Sequence, residues 1–355
     1  RLQMQFNSVF PGLSRAGAVA VGALGILASG AYADTISPTS YSATLGVGES
    51  VTITKTVVVT REPPTTALVD IMFVFDTTGS MGGAIDGAKA SATSVLNTIA
   101  ATYGNTFSGA GQYDDPASSI VAPLSNSIAA TQAGINTLFA CYGSCGGDFP
   151  EVGYDGIAKA ARDTPWRAGS NRFIVAFGDA SFKDGADNAA STATALSSAN
   201  VDLFGVSFGS AFDSEITGLG GSVFASSTSP DDIAAAILAG VSAGFSTYKT
   251  VTVGDLGGGL PEIAVSAVCT SADTGACVGA DAVGTYDRSV ERTFTFDYTF
   301  TRVAAGDKDF DTYALVDRGI VATERDSFKT PEPATLVLMG VSLLGLGASR
   351  RRRSA

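Results

Sequence analysis

Residues 67–80 read Ala67-Leu-Val-Asp-Ile-Met-Phe-Val-Phe-Asp76-Thr-Thr-Gly-Ser80. The run before Asp76 is apolar except for Asp70, which predicts a strand buried on both faces of a parallel sheet. The stretch at about 80–101 has small residues and few breakers and predicts a helix. A buried strand, a tight polar turn and a helix in this order are typical of a doubly wound α/β domain.

Apolar runs and predicted helices then alternate as far as residue 245. The strand-like runs lie at 173–177, 201–208 and 223–225, and the predicted helices lie at about 150–162, 186–199 and 231–243. This alternation predicts right-handed crossover connections. We therefore expect residues 66–245 to form an α/β domain with a doubly wound, mostly parallel sheet.

The segments on either side of residues 66–245 have a different pattern. Residues 51–57, Val51-Thr-Ile-Thr-Lys-Thr-Val57, alternate apolar and polar residues, and 263–268 and 293–300 do the same. A period of two predicts strands with one buried face. An isolated hairpin at 41–62 would be only marginally stable. We therefore expect 34–65 and 246–328 to pair into one β-sandwich, with the α/β domain inserted between its strands.

The composition restricts the possible functions. The chain has 355 residues, a formal net charge of −12 and no histidine. Without histidine there is no Ser-His-Asp triad, Cys-His pair or His-ligated zinc site. We therefore expect no enzyme, with a carboxylate-based hydrolase as the alternative. The acidity argues against a nucleic-acid partner and favours cations.

The N-terminal region has the pattern of an export signal. An apolar run at about 16–27 follows Arg15, and Ala31-Tyr-Ala33 precedes Asp34 as a cleavage pattern of the A-x-A kind. These features predict a signal peptide at 1–33, with a short buried helix as the alternative. Four cysteines fit an oxidising compartment. Of three connectivities, local pairing of Cys141 with Cys145 and of Cys269 with Cys277 is the simplest.

The C-terminal region carries a second sorting pattern. Pro331-Glu-Pro333 is followed by an apolar run at 334–348 and by arginines at 350–353. As a helix this run would rise about 22 Å, less than the ~30 Å hydrocarbon core, so it suits transient membrane contact before a basic cytoplasmic stop. Residues 329–355 resemble the PEP-CTERM sorting signal, which implies processing by an exosortase and a Gram-negative cell surface or matrix. A plain membrane anchor is the alternative.

Asp76, Thr78 and Ser80 are the candidate ligands of a metal ion. Ligands bind at the carboxyl ends of strands in open α/β sheets. One carboxylate and two hydroxyls at alternate positions of a tight turn are hard oxygen donors that suit Mg²⁺, Ca²⁺ or Mn²⁺. The alternative is a helix N-cap, where Asp, Thr and Ser are also favoured.

A strand followed by D-x-T-x-S resembles the metal-ion-dependent adhesion site of von Willebrand factor A (vWA) domains, whose usual pattern is D-x-S-x-S. Residues 146–151, Gly-Gly-Asp148-Phe-Pro-Glu151, resemble the second metal loop of that family. The resemblance implies Glu151 as a ligand, Asp148 as a ligand of this ion or of a neighbouring one, and Asp179 as a ligand through water. For Glu151, an acid favoured in the first turn of a helix is the alternative.

The predicted insertion is similar to the layout of integrin β chains. Gly83 and Ala84 stand where the integrin form has acidic residues for an adjacent regulatory ion, which implies one main ion, expected to be Mg²⁺ with Ca²⁺ or Mn²⁺ as alternatives. We therefore expect an exported surface or matrix protein that binds a carboxylate of a protein or matrix partner through this ion. A structural matrix protein with a vestigial metal site is the alternative.

Overall fold

The computed structural model describes residues 33–115, 117–143 and 149–331. The predicted signal peptide before residue 33, the apolar run and arginines of the sorting signal, Cys145 and Asp148 therefore lie outside the described residues. Within these three ranges, no helix is both long and apolar enough to cross a bilayer. A disulfide joins Cys269 to Cys277, which confirms that local pairing.

The strands of the described chain alternate with the helices only in its middle part. In chain order the strands are β1 (Thr35–Ser37), β2 (Ser40–Thr44), β3 (Ser50–Val59), β4 (Ala67–Asp76), β5 (Gly104–Tyr113), β6 (Ser118–Ser125), β7 (Asn171–Gly178), β8 (Val201–Ser207), β9 (Ser222–Ala225), β10 (Thr247–Gly254), β11 (Ile263–Ser271), β12 (Ala276–Val278), β13 (Asp281–Asp287), β14 (Arg292–Arg302), β15 (Lys308–Val316) and β16 (Gly319–Lys329). The helices are α1 (Gly82–Tyr103), α2 (Ile128–Asn136), α3 (Gly153–Asp163), α4 (Ala189–Ala199), α5 (Ser210–Gly218) and α6 (Pro230–Ser246), and a 3₁₀ turn at Gly79–Met81 precedes α1.

The middle part of the chain is an α/β domain, as the sequence predicts. Its sheet has the order β6-β5-β4-β7-β8-β9 and is parallel except for the antiparallel pair of β5 and β6. Strand β4 is buried on both faces because its side chains alternate between two cores. Phe73 and Phe75 pack with α1 and α6, and Met72 and Val74 pack with α3 and α4.

The strands before and after the α/β domain share two sheets. Strand β3 pairs antiparallel with β14 in a sheet of order β1-β3-β14-β11, and β2 pairs parallel with β16 in a sheet of order β12-β13-β10-β15-β16-β2. Side chains of both sheets meet in one apolar core, where Phe300 of β14 contacts Phe310 of β15 and Phe328 of β16. Residues far apart in sequence thus hold the two sheets together.

Some elements differ from the predicted ones. Helix α1 begins two residues later than expected, after the 3₁₀ turn, and α3 begins at Gly153 rather than near residue 150. Strand β5 had no predicted counterpart because its sequence is rich in glycine. Those glycines allow close packing, since a Cβ on Gly109 would lie 2.5 Å from Sδ of Met72.

Candidate metal site

Asp76 is the last residue of β4 and lies at the carboxyl edge of the parallel sheet. It stands in register with Tyr113 at the end of β5, and the preceding Phe75 pairs with Phe177 near the end of β7. The side chains of Asp76 and Thr78 are buried, whereas Ser80 is exposed. The loop thus leads from the interior of the domain to solvent within four residues.

The turn after β4 holds one oxygen of Asp76 and leaves the other without a hydrogen bond. Oδ1 accepts hydrogen bonds from the backbone N–H of Thr78 at 2.9 Å and from its hydroxyl at 2.7 Å. Oδ2 is buried and has no hydrogen-bond partner. Burying a carboxylate oxygen without a hydrogen-bond donor costs free energy unless a positively charged group lies beside it. This oxygen is the strongest structural indication of a cation site.

The neighbouring residue Thr77 fixes the loop to the sheet and to residue 141. Its backbone N–H and its hydroxyl both donate to the carbonyl oxygen of Tyr113 at 2.9 Å, and its own carbonyl accepts from the N–H of Cys141 at 2.8 Å. Three hydrogen bonds to two other segments restrict the loop. The orientation of the Asp76 carboxylate is therefore set before any ligand binds.

The helix-cap interpretation of Asp76, Thr78 and Ser80 does not agree with the local geometry. Thr78 stands at the N-cap position of the 3₁₀ turn and Met81 at that of α1, and neither end has a side-chain cap hydrogen bond. The carboxylate of Asp76 instead binds Thr78 within the turn. Helix capping therefore does not account for this set of side chains.

The charges around Asp76 resist its ionisation. Burial raises the pKa of Asp76 to about 7, hydrogen bonds from Thr78 lower it in part, and the negative charges of Asp179 and Asp114 raise it further. Burial also raises the pKa of the Tyr113 hydroxyl, and Asp76, Glu151 and Asp179 add to that effect. These acids therefore lie within electrostatic reach of one another, and a cation among them would offset their repulsion.

A short parallel bridge pairs Glu151 with Phe182, in the segment that follows Asp179. Glu151 is buried, its N–H donates to the carbonyl of Ser181 at 2.9 Å, and its carbonyl accepts from the N–H of Lys183 at 2.8 Å. Asp179 follows β7 directly and is half-buried. The segment after Asp179 therefore positions Glu151.

The alternative interpretation of Glu151 assigns it to the first turn of a helix. Helix α3 begins at Gly153, and the acid in its first turn is Asp155. The carboxylate of Asp155 accepts from the backbone N–H groups of Ala186 and Asp187 at 3.0 and 2.8 Å. Asp155 is therefore the acid in the first turn of α3, and Glu151 lies before the helix begins.

Two features of the site were not predicted. Asp115 forms an ion pair with Lys183, and its neighbour Asp114 acts electrostatically on Asp76. The ring of Tyr142 lies over the loop, since a Cβ on Gly79 would come within 2.8 Å of it, yet the side chain is 77% exposed. The polar sequence after β5 signals the first feature, but nothing in the sequence places Tyr142 there.

The donor set fits a hard divalent cation bound in part by hydroxyl groups. In the part of the chain that the structure describes, no three Asp, Glu or Cys side chains cluster closely enough to hold a metal by themselves. Among the described residues, the hydroxyls of Thr78 and Ser80 could supply oxygen ligands beside the carboxylate of Asp76. Mg²⁺ and Ca²⁺ accept such oxygen ligands. Asp148 lies outside the described residues.

An open α/β sheet with an oxygen-rich loop at its carboxyl edge defines a class of ligand-binding domain. Residues 70–204 match the family model of the von Willebrand factor A domain, and residues 329–353 match that of the PEP-CTERM protein-sorting motif. The chain therefore contains a vWA domain and a PEP-CTERM motif. The motif supports export to the surface or exterior of a Gram-negative cell and implies processing by an exosortase.

Several solved structures are similar to this chain. One is a von Willebrand factor type A protein from Catenulispora acidiphila, with 13% identity, a TM-score of 0.40, and coverage of 83% of this chain and 72% of that one. Another is proximal thread matrix protein 1 from the mussel byssus, with 17% identity, a TM-score of 0.42, and coverage of 55% and 48%. A third is the SpRpn10 VWA domain, with 16% identity, a TM-score of 0.38, and coverage of 48% and 94%. A comparison with curated proteins gives no significant match.

Proposed function

We propose that this exported protein binds a partner at the cell surface or in the extracellular matrix through a divalent cation on its vWA domain. Asp76, Thr78 and Ser80 hold the ion, expected to be Mg²⁺, with Ca²⁺ or Mn²⁺ as alternatives. Asp179 contacts it through water, and Glu151 and Asp148 complete its surroundings. The observation that carries the proposal is the buried Oδ2 of Asp76, which has no hydrogen bond.

The proposed partner group is a carboxylate. Hydroxyl ligands are neutral, so an ion held by one carboxylate and two hydroxyls keeps much of its positive charge and attracts an acidic group. The protein itself is acidic, with a formal net charge of −12. The net charge therefore does not favour general attraction of an acidic partner, and in this proposal the ion supplies the attraction.

The surface around the loop suits binding to another macromolecule. Besides Tyr142, the side chains of Phe139 and Phe149 are 70% and 64% exposed. Phe139 and Tyr142 lie in the segment that contacts the loop, and Phe149 lies two residues before Glu151. Exposed aromatic side chains near a polar centre are typical of interfaces. We propose that these aromatic side chains contact the partner beside the ion.

We also propose that the protein is not an enzyme.

Calorimetric titration of the protein with MgCl₂ or MnCl₂ tests the metal site. We expect one ion per chain in the wild type and loss of binding in Asp76→Ala. The matched control is Glu291→Ala, which removes an exposed carboxylate from the β-sandwich region. Unchanged ion binding by Asp76→Ala would refute the site.

A pull-down from the native surface or matrix, with and without EDTA, tests the function. We expect the partner to be retained by the wild type and released by EDTA, and not to be retained by Asp76→Ala. Retention that EDTA and Asp76→Ala leave unchanged would favour the structural protein with a vestigial site. Metal-dependent hydrolysis of peptides or glycans that is lost in Glu151→Gln would favour the enzyme.

A further inference from the structure

A lysine lies inside the core of the β-sandwich. Strand β3 directs alternate residues inward, and Lys55 takes one of these positions beside Val57 and Val59. Its side chain is fully buried. The ammonium group donates a hydrogen bond to Oε2 of Glu324 and lies 4.0 Å from Oδ1 of Asp326. Both acids occupy inward positions of β16 and are fully buried as well.

The surroundings of this cluster are aromatic and include the hydroxyl of Thr312. The Lys55 nitrogen lies 4.9 Å from the ring centre of Tyr298 and 5.2 Å from that of Phe300. The hydroxyl of Thr312 donates to Oδ2 of Asp326 at 2.5 Å, whereas Oδ1 of Asp326 makes no hydrogen bond. The amine thus faces the carboxyl oxygen that has no donor.

The charges of the cluster do not balance if both acids are ionised. Burial raises the pKa of Glu324 to about 7, although Lys55 lowers it in part and Asp326 raises it further, and burial also raises the pKa of Asp326. One ammonium neutralises one carboxylate, so the second acid is favoured in its neutral form. A neutral carboxyl beside a buried amine is a chemically reactive pair.

Stability alone does not account for this arrangement. Replacing a buried ion pair by apolar residues of similar volume is often neutral or stabilising. The positions of Lys55, Glu324 and Asp326 lie among valines and phenylalanines of the same core. Apolar residues would therefore satisfy the fold there, and the three polar groups call for a chemical explanation.

We propose that Lys55 and Asp326 join in an intramolecular isopeptide bond, with Glu324 as the proton carrier. Glu324 takes a proton from the ammonium of Lys55, and the amine attacks Cγ of the neutral carboxyl of Asp326. Thr312 holds Oδ2, on which negative charge develops. Glu324 then moves a second proton from the nitrogen to Oδ1, and the C–Oδ1 bond breaks. One C–N bond replaces one C–O bond, one water leaves, and Glu324 ends protonated.

The bond would connect the two sheets of the sandwich. Strand β3 precedes the vWA domain, and β16 is the last strand before the Pro-Glu-Pro of the sorting motif. A mechanical force applied to the chain after β16 would be transmitted to β3 through a covalent bond. Without it, the hydrogen bonds of β16 to β15 and β2 would carry the load.

Mass spectrometry of the reduced, denatured, trypsin-digested full chain tests the proposal. We expect a joined peptide that contains uncleaved Lys55 and Asp326 and is lighter than the sum of its parts by one water. In Asp326→Asn, which keeps Glu324, we expect the joined peptide to be lighter by one ammonia instead. Glu291→Gln is the control and should leave the water loss unchanged.

Two further variants separate the roles of the acids. Glu324→Gln keeps both bonding groups and should give separate peptides. Thr312→Val keeps all three reacting groups and should slow the linkage, which keeps the test decisive if Glu324→Gln fails to fold. A wild-type digest with only separate peptides would show a plain ion pair and overturn the proposal. Ammonia loss in Glu324→Gln with water loss in Asp326→Asn would place the bond on Glu324 and overturn the assignment to Asp326.

Discussion

The turn after β4 and the sandwich core contain buried acids in opposite settings. Asp76 and Glu324 are both fully buried, and burial raises the pKa of each to about 7. The hydrogen-bond donors of Asp76 both belong to Thr78, whereas Glu324 meets the ammonium of Lys55. Asp76 ends a strand beside an exposed loop, and Glu324 lies within a strand. An ion from solvent can reach a buried carboxylate that lies next to a surface turn. A carboxylate inside a core is out of reach of such an ion and needs a positively charged or hydrogen-bonding partner from the chain itself.

The largest effect should come from removing Lys55. Lys55→Met keeps a similar volume but removes the amine that pairs with Glu324 and Asp326, and with it the bond proposed to Asp326. Breaking a buried pair by removing one partner costs about 3–5 kcal/mol. We expect a loss of this size in the free energy of unfolding, measured by urea denaturation.

The control for this variant is Lys89→Met, because Lys89 lies half-buried on α1. We expect its free energy of unfolding to stay within about 0.5 kcal/mol of the wild type. A Lys55→Met protein as stable as this control would mean that the core acids do not depend on Lys55 as their partner. The proposed difference between the core acids, which have an amine partner from the chain, and Asp76, whose hydrogen-bond donors both belong to Thr78, would then not hold.

The next largest effect is the pH dependence that Asp76 imposes on the metal-free protein. Its pKa is raised from 3.8 to about 7 in the folded state, so the folded state binds the proton more tightly. Stability from this group is therefore lost as pH rises through that interval. Between pH 5 and pH 8 we expect a loss of about 2–3 kcal/mol in EDTA, measured by urea denaturation.

Asp76→Asn is the matched control for the pH series, since it removes the titrating group and keeps a similar shape. We expect it to reduce the loss by most of that amount. Saturating Mg²⁺ should oppose the loss in the wild type alone, because an ion that binds only the folded state stabilises it. Equal pH profiles for wild type and Asp76→Asn would show that burial does not raise the pKa of this carboxylate.

The sequence predicts the turn after β4 better than the core cluster for a physical reason. Asp76, Thr78 and Ser80 are local, so one strand and one turn define them. Asp114 was harder to assign because it follows the glycine-rich β5.

Lys55 is visible in the sequence as a charged residue in the alternation Val51, Ile53, Lys55, Val57. Its acids lie far along the chain on a strand of the other sheet, so only long-range pairing brings them together. Sequence spacing carries no information on such a contact, whereas the parallel-sheet rule predicts which strand ends meet.

A matched pair of substitutions, one in the turn after β4 and one in the sandwich core, should lower stability by a smaller amount and should differ in the effect on Mg²⁺ affinity. Thr78→Val and Thr312→Val each remove a hydroxyl that donates to a buried carboxylate, at 2.7 Å and 2.5 Å. We expect each to cost about 1–2 kcal/mol of stability. Only Thr78→Val should weaken Mg²⁺ binding in calorimetric titration. If both variants or neither weakened it, Thr78 would not be a specific ligand.

The smallest effect on stability should come from Ser80→Ala. Ser80 is exposed, and neither the 3₁₀ turn nor α1 has a side-chain cap hydrogen bond, so loss of its hydroxyl should change the free energy of unfolding by less than about 0.5 kcal/mol. Affinity for Mg²⁺ should nevertheless fall, because the hydroxyl is a proposed ligand. Ser214→Ala on α5 is the control, since it removes another exposed hydroxyl and should change neither quantity. A loss of stability without a loss of affinity would assign Ser80 to the helix start and leave Asp76 and Thr78 as the ion's only direct ligands from this loop.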